Sequence, residues 1–250
     1  MGGSLLGPAM TQERVRAFLT ASGARYTEYS DDDSLCTAVA GLMARDNVVG
    51  WFQGRMEFGP RALGARSIIG DARSPVLQAT MNLKTKFRES FRPFAPVILK
   101  ERVADYFEME PGTDSPYMLL VAPVRENHRR DVDSTSARGL DRVKQVRSDI
   151  PAVTHVDYSA RIQTVDRERH GRFYELVKAF EQQTGCPVII NTSFNVRGEP
   201  IVCTPEQAYR CFMATKMDVL VLERAVLLKT EQPASRDFDA SEYAAAFRAD

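Results

Sequence analysis

Three stretches of the chain combine cations, glycines and small polar residues in a way that suits oxyanion chemistry. The first reads Gln53-Gly54-Arg55-Met56-Glu57-Phe58-Gly59-Pro60-Arg61-Ala62-Leu63-Gly64-Ala65-Arg66-Ser67. Glycines at 54, 59 and 64 allow sharp turns and close approach of the backbone to a ligand. Arg55, Arg61 and Arg66 supply planar forks for phosphate or carboxylate oxygens. The second runs from Lys84 to Pro96 and contains Lys86 and Arg88, which share a face if the segment is extended. A lysine point charge beside an arginine clamp suits an oligophosphate. Glu89 is placed to orient one of these cations, and Phe91 and Phe94 read as core. The third is Asn191-Thr192-Ser193-Phe194-Asn195, where Ser193 and Asn195 share a face and can hold phosphate oxygens or an amide. Arg197-Gly198-Glu199-Pro200 is turn chemistry that closes this loop. Each stretch also has a structural reading: a turn with surface arginines, a solvated face, and ordinary Asn and Ser turn residues. His155 on spacing alone reads as a structural histidine, while Arg161 and Gln163 alternate on the next strand and can face one pocket.

Charge supports the anion reading locally and excludes other classes globally. Between Arg55 and Arg102 there are ten cations against four anions, interleaved with Gly, Pro and Phe rather than spaced for a helix face. The whole chain carries 33 basic and 33 acidic residues, which argues against a bulk electrostatic grip on nucleic acid or membrane. No apolar run approaches the ~18–20 residues that cross a bilayer, and residues 1–10 lack the pattern of a secretory signal. Cys36, Cys186, Cys203 and Cys211 have neither CxxC spacing nor disulfide density, so they read as reduced thiols in a cytoplasmic setting. With His128, His155 and His170 as the full histidine complement, no protein-held metal is expected. Mg²⁺ would arrive on phosphates.

The elements that must position these residues alternate. Helices are predicted over residues 11–22, 31–43, 75–83, 168–184 and 205–215, the second opened by Asp31, Asp32, Asp33 and Ser34 as a helix start rather than a metal site. Strands are predicted over 48–52, 94–99, 117–124, 161–165, 187–190 and 219–222. Alternation of this kind indicates an α/β fold, and the third stretch would then follow the carboxyl end of a strand, where ligands gather in open sheets. Residues 125–150 form a polar connection without a period. Residues 1–10 read as a linker, 11–230 as a single domain, and 231–250 as a tail with a short helix at 242–248.

The strings Gly50-Trp51-Phe52-Gln53-Gly54-Arg55 through Arg66-Ser67, Lys86 to Pro96, His155-Val156-Asp157 with Arg161-Ile162-Gln163-Thr164-Val165, and Asn191 to Pro200 with Thr204-Pro205 together resemble the C-terminal domain of O-carbamoyltransferases of the nodulation-factor, cephamycin and tobramycin type. The likeness runs from Leu6-Gly7-Pro8 to about Lys229. It implies a YrdC-like fold, an open twisted mixed sheet with flanking helices, in which Lys86-Phe87-Arg88 and Ser193-Phe194-Asn195 match the KxR and SxN signatures. It further implies that carbamoyl phosphate and ATP, with Mg²⁺, yield carbamoyl adenylate. The carbamoyl group then passes to a small-molecule hydroxyl on an actin-like domain that holds iron. On this resemblance Lys86, Arg88 and Arg61 form the catalytic set. Arg55 joins them in clamping charge, and Gly59, Ser193, Asn195, Asn191, His155 and Arg161 bind the phosphorylated ligands. The family's Leu-Gly-Pro segment follows the actin-like domain, so the iron ligands and acceptor pocket are expected on a partner domain or subunit. The alternative is a nucleotide-binding assembly module that has no chemistry of its own without that partner.

Overall fold

The computed structural model of the chain describes residues 3–132, 139–233 and 240–247. Its strands are β1 (Thr27–Glu28), β2 (Val49–Phe52), β3 (Arg66–Asp71), β4 (Ala95–Leu99), β5 (Leu120–Pro123), β6 (Ser159–Val165), β7 (Val188–Ser193), β8 (Val219–Leu222) and β9 (Ala225–Leu228). Among the described residues they form one open sheet in the order β1-β9-β8-β2-β3-β7-β4-β6-β5. The pairs β2–β8 and β4–β6 are parallel and the others antiparallel, so the sheet is mixed, as expected.

The helices are α1 (Gln12–Ser22), α2 (Asp32–Met43), α3 (Leu77–Lys84), α4 (Val103–Tyr106), α5 (Arg167–His170), α6 (Arg172–Thr184), α7 (Pro205–Ala214) and α8 (Ala240–Ala245). Local chemistry sets their ends. The Thr11 hydroxyl accepts from the Arg14 amide to open α1, and the Asp31 carboxylate accepts from Ser34 to open α2, which uses a carboxylate where the helix dipole favours one. Thr204 and Gln207 form a reciprocal capping box ahead of α7, with Pro205 in its first turn. Strands β2, β3, β4 and β8 are buried at every position, which requires cover on both faces of the sheet. Helix α2 packs along α6, which reaches β4 and β7, whereas α7 lies on β2 and β8 with α1 against it.

Several expectations change in detail. The predicted helix over 168–184 breaks at Gly171 into α5 and α6. Strand β3 begins at Arg66, inside what reads as a loop, and β7 continues through Ser193 rather than stopping at Ile190. The predicted strand over 117–124 shortens to β5 because Met118 takes a left-handed backbone (φ 58°). Strand β9 adds a hairpin to β8. The polar connection contains short 3₁₀ turns at Glu126–His128 and Gly139–Lys144, while residues 133–138 lie outside the described residues. Helix α8 covers part of the helix expected at 242–248, residue 248 lying outside the described residues, and its Tyr243 joins the same core as Val15 and Trp51. Helix α8 and the turn after it are therefore packed against the body through Tyr243 and Phe247.

Candidate active site

The three sequence stretches meet at β7. This strand sits between β3 and β4, pairing Asn191 with both Ile69 and Ala95. A cavity of about 140 Å³ opens beside it, lined by Arg61, Arg88, Arg161, Asn191, Thr192 and Ser193 with Pro60, Pro93, Phe94 and Met118 at its edges. Each guanidinium arrives by a different route. Arg61 rides on the glycine-rich loop, whose fold is set by Glu57: this buried carboxylate accepts from the Leu63 amide at 2.7 Å and the Ala65 amide at 2.6 Å. Arg88 follows α3. Its Nε donates to Asn82 Oδ1 at 2.6 Å, and its guanidinium lies over Phe94 at 4.9 Å. Asn82 in turn donates to the Ser90 and Arg92 carbonyls, so one fully buried amide fixes both the arginine and its loop. Arg161 comes from β6.

None of these three guanidiniums pairs with a carboxylate among the described residues. Burial lowers the proton affinity of Arg161, and Arg61 nearby adds to the effect. Arg88 is pushed down to about 10 by burial and by Arg92. Arg161 Nε is buried with no hydrogen-bond partner among the described residues. Like charges gathered without a counter-ion, in a part-buried place, can take an anion as their partner.

Lys86 is near the cavity but does not line it. The side chain is 3% exposed. Its Nζ donates to the Ser193 carbonyl at 2.8 Å, the Asn195 carbonyl at 2.7 Å, Ser193 Oγ at 3.3 Å and Asn195 Oδ1. Burial pushes this ammonium down to about 7, with Arg88 adding in the same direction, and the four oxygens around Nζ share its three hydrogens. The lysine thus braces the end of β7 from behind. Ser193 Oγ donates to Asn195 Oδ1 at 2.6 Å, so Asn195 too is engaged with protein and not at the cavity surface. The route that joins Lys86 and Arg88 also differs from the expected extended segment. Phe87 between them has φ 48°, and the pair belongs to a turn rather than one strand face.

Beneath the cavity lies an amide relay. Asn191 Nδ2 donates to the Ala62 carbonyl at 3.0 Å and to Gln163 Oε1 at 2.7 Å, and Gln163 Nε2 donates to the Leu63 carbonyl at 2.8 Å. Both hydrogens of Asn191 are spent, which fixes its Oδ1 as an acceptor, and that oxygen has no partner among the described residues. Gln163, Glu57 and Asn82 do their work through buried contacts, and only Gln163 carried a sequence signal, its alternation with Arg161.

Other expected site residues lie elsewhere. Arg55 donates to the Gly7 carbonyl at 2.8 Å and does not line the cavity, because a bridge between Ala9 and Arg55 ties it to the N-terminal segment. Arg66 is fully buried over Phe52 at 3.5 Å and donates to the Gln53, Gly54 and Ala65 carbonyls, a structural use of the fork. Gly59 is in the exposed turn ahead of Pro60 and Arg61 and lines no part of the cavity. His155 lines a neighbouring cavity of about 590 Å³ with Arg142, Arg147 and Asp157, which shares Pro93 with the first. Burial lowers its affinity for a proton. Glu89 pairs with Arg92 and Arg197 at 3.3 and 3.4 Å instead of Lys86 or Arg88. Phe94 is core as expected, but Phe91 is 43% exposed. Among the described residues no helix is long and apolar enough to cross a membrane, and no group of three or more His, Cys, Asp or Glu is arranged around a metal site.

Comparison with known proteins places the chain in a family. The chain is 58% identical over 237 residues to the uncharacterized protein sll1178 of Synechocystis, covering 93% of this chain and 38% of that one. It is 36% identical over 230 residues to nodulation protein NolO of Bradyrhizobium diazoefficiens, covering 92% and 38% of the two chains. With nodulation protein NolNO of Sinorhizobium fredii it shares 39% identity over 225 residues, 89% of this chain and 30% of that one. The chain therefore spans about a third of the length of these relatives. Among solved structures, full-length HypF in its phosphate- and nucleotide-bound form is similar at a TM-score of 0.49 and 16% identity, over 82% of this chain and 23% of that one. A family model described as carbamoyltransferase C-terminus matches residues 40–229, a span that contains Arg61, Lys86, Arg88, Arg161 and the whole of β7, and the chain belongs to that family.

Proposed function

We propose that this chain binds carbamoyl phosphate and ATP at the cavity beside β7 and forms carbamoyl adenylate, releasing phosphate and pyrophosphate. The observation that carries the reading is the set of three unpaired guanidiniums, Arg61, Arg88 and Arg161, around one cavity. Two phosphorylated substrates repel each other, and each cation at ~4 Å from an anion offsets roughly 4 kcal/mol of that repulsion at an effective dielectric of ~20, before desolvation. The balanced reaction consumes one water. Water cleaves carbamoyl phosphate to carbamate and phosphate; a carbamate oxygen then attacks the α-phosphorus of ATP, and the bond to the bridging oxygen breaks as pyrophosphate departs with the electron pair. The guanidiniums stabilise charge that develops on the leaving groups. Ser193, with Asn191, lines the wall against which the ligand rests, and Lys86 keeps that wall in place through Ser193 and Asn195. Mg²⁺ would enter on the nucleotide phosphates.

The experiment is ATP–pyrophosphate exchange with and without carbamoyl phosphate, in the presence of Mg²⁺. Exchange that depends on carbamoyl phosphate supports the activating role; its absence from a folded chain removes it. A second reading follows from the 30–38% of its relatives' length that this chain spans: the chain binds nucleotide but turns over only when joined to the rest of such a protein, where an actin-like domain would hold iron and the acceptor hydroxyl. Calorimetric binding of ATP without exchange would favour that reading.

A further inference from the structure

The turn that follows β7 is held from a second side by the C-terminal helix. Glu199 is the junction. Its Oε2 accepts from the Val196 amide at 2.8 Å, its backbone carbonyl accepts from Asn195 Nδ2 at 2.6 Å, and its Oε1 accepts from the hydroxyl of Tyr243 on α8. Tyr243 is 9% exposed and belongs to the main core, with the Arg210 guanidinium 5.9 Å from its ring centre. Phe247 meets the Tyr243 ring edge-on at 5.2 Å. Its carbonyl oxygen occupies the space a Cβ would need at Gly198, where φ is +82°, so a glycine is required both by the backbone and by the docked helix. Tyr243 and Phe247 lie beyond the matched span of residues 40–229, whereas Glu199 and Gly198 lie within it.

We propose that Tyr243 is a positioning residue for the cavity beside β7. Its hydroxyl holds the Glu199 carboxylate, the Glu199 carbonyl holds Asn195, and Asn195 Oδ1 receives both Lys86 Nζ and Ser193 Oγ, so three consecutive contacts connect α8 to Ser193 on a wall of the cavity, with Lys86 joining at Asn195. This rests on the reading of that cavity as a phosphate site. Burial, with Glu199 alongside, keeps the phenol protonated well above its ordinary range, which makes Tyr243 a donor at every working pH. A helix added at the end of the chain thereby contributes to the shape of a site made from its middle.

The test uses the full chain carrying Tyr243→Phe, with Phe247→Ala as a second variant. Two readouts are taken. One is hydrogen exchange at the Val196 and Val202 amides, which bond to Glu199 and to the Phe194 carbonyl. The other is the KM for carbamoyl phosphate in ATP–pyrophosphate exchange. Loss of one charge-assisted hydrogen bond predicts roughly tenfold faster amide exchange at these positions and a roughly tenfold higher KM, with kcat less affected and the melting temperature lowered by only about 2–4 °C. Wild-type exchange at both amides, or a uniform rise that also includes β2 and β8, overturns the proposal. If the wild-type chain shows no ATP–pyrophosphate exchange, it is the activation chemistry that fails, and the amide arm still decides whether Tyr243 sets the turn. Should Tyr243→Phe not fold, Phe247→Ala is judged by the same two criteria.

Discussion

Replacing Lys86 by methionine separates the two roles a buried lysine can have. The residue is 3% exposed, and burial pushes its ammonium down to about 7 from 10.5. Keeping that proton in the folded protein thus costs about 5 kcal/mol at or below pH 7, from ~1.4 kcal/mol per pK unit. The methionine variant is relieved of this cost but loses the charge-assisted hydrogen bonds to the Ser193 and Asn195 carbonyls, about 1.5–3 kcal/mol each; the Ser193 carbonyl keeps the Asn195 amide at 3.1 Å, and Asn195 Oδ1 keeps Ser193 Oγ. The two effects nearly cancel, and the net change in stability at pH 7 should be no more than about 3 kcal/mol. The sign with pH is distinct. Between pH 7 and 10.5 the unfolded lysine holds a proton that the folded one has released, so wild-type stability rises relative to Lys86→Met by about 1.4 kcal/mol per pH unit. Urea denaturation of both proteins from pH 7 to 9.5 measures this difference, in which Lys229, pushed down to about 8 by burial, cancels. Phosphate affinity should fall at least tenfold in the variant. A wild-type-minus-variant difference that stays flat with pH would show that Lys86 titrates like an exposed lysine and would refute the reasoning.

Arg88→Ala removes one guanidinium and should weaken carbamoyl phosphate binding about 10- to 100-fold, from ~1.5–3 kcal/mol for a charge-assisted hydrogen bond. Calorimetry reads the loss, and unchanged affinity would take Arg88 out of the site. The same variant should raise the Lys86 titration, because Arg88 contributes to its depression, and so move the pH dependence described above to higher pH. Binding of an anion should draw a proton onto Lys86, and calorimetry at pH 8 in two buffers of different ionisation enthalpy should register uptake of a fraction of a proton. Gly64→Ala should destabilise the fold by about 3 kcal/mol in thermal unfolding, since the backbone is left-handed there (φ +115°) and a Cβ would overlap the Phe173 ring. A near-neutral result would mean that α6 shifts freely.

The sequence carried the elements whose signals are local. Helices α1 and α2 start where Thr11 and Asp31 place their caps, and β2 and β8 are apolar runs short enough to be strands. What it hid was set by distant partners. Strand β3 opens on an arginine that is buried only because Phe52 lies under it and three carbonyls receive it, and no periodicity announces such a residue as sheet. Gly171, at φ 47°, divides one predicted helix, and the polar run Glu168-Arg169-His170 before it has no apolar period of its own. In the site, Arg61, Arg88, Arg161, Asn191 and Ser193 converge as the chemistry of their stretches suggests. Arg55, of the same residue type and six positions from Arg61, is captured by the Gly7 carbonyl. Residue type marks which side chains can bind an anion; only the tertiary path decides which remain free to do so. Asn82 and Glu57 have no motif because their contribution is to hold neighbours.

Strand β7 carries one more implication. Asn191 is laddered to β3 on one side and β4 on the other, so this wall cannot shift without breaking backbone bonds to both neighbours. Arg88 is tethered by Asn82, whereas Arg61 is exposed. On the proposed function, an incoming ligand would meet a receptor whose shape already exists, and the entropy of immobilisation, roughly 0.5–1.5 kcal/mol per side chain, would fall chiefly on Arg61. Occupancy should be governed by how fast the ligand escapes, with little heat spent on rearranging the protein around it.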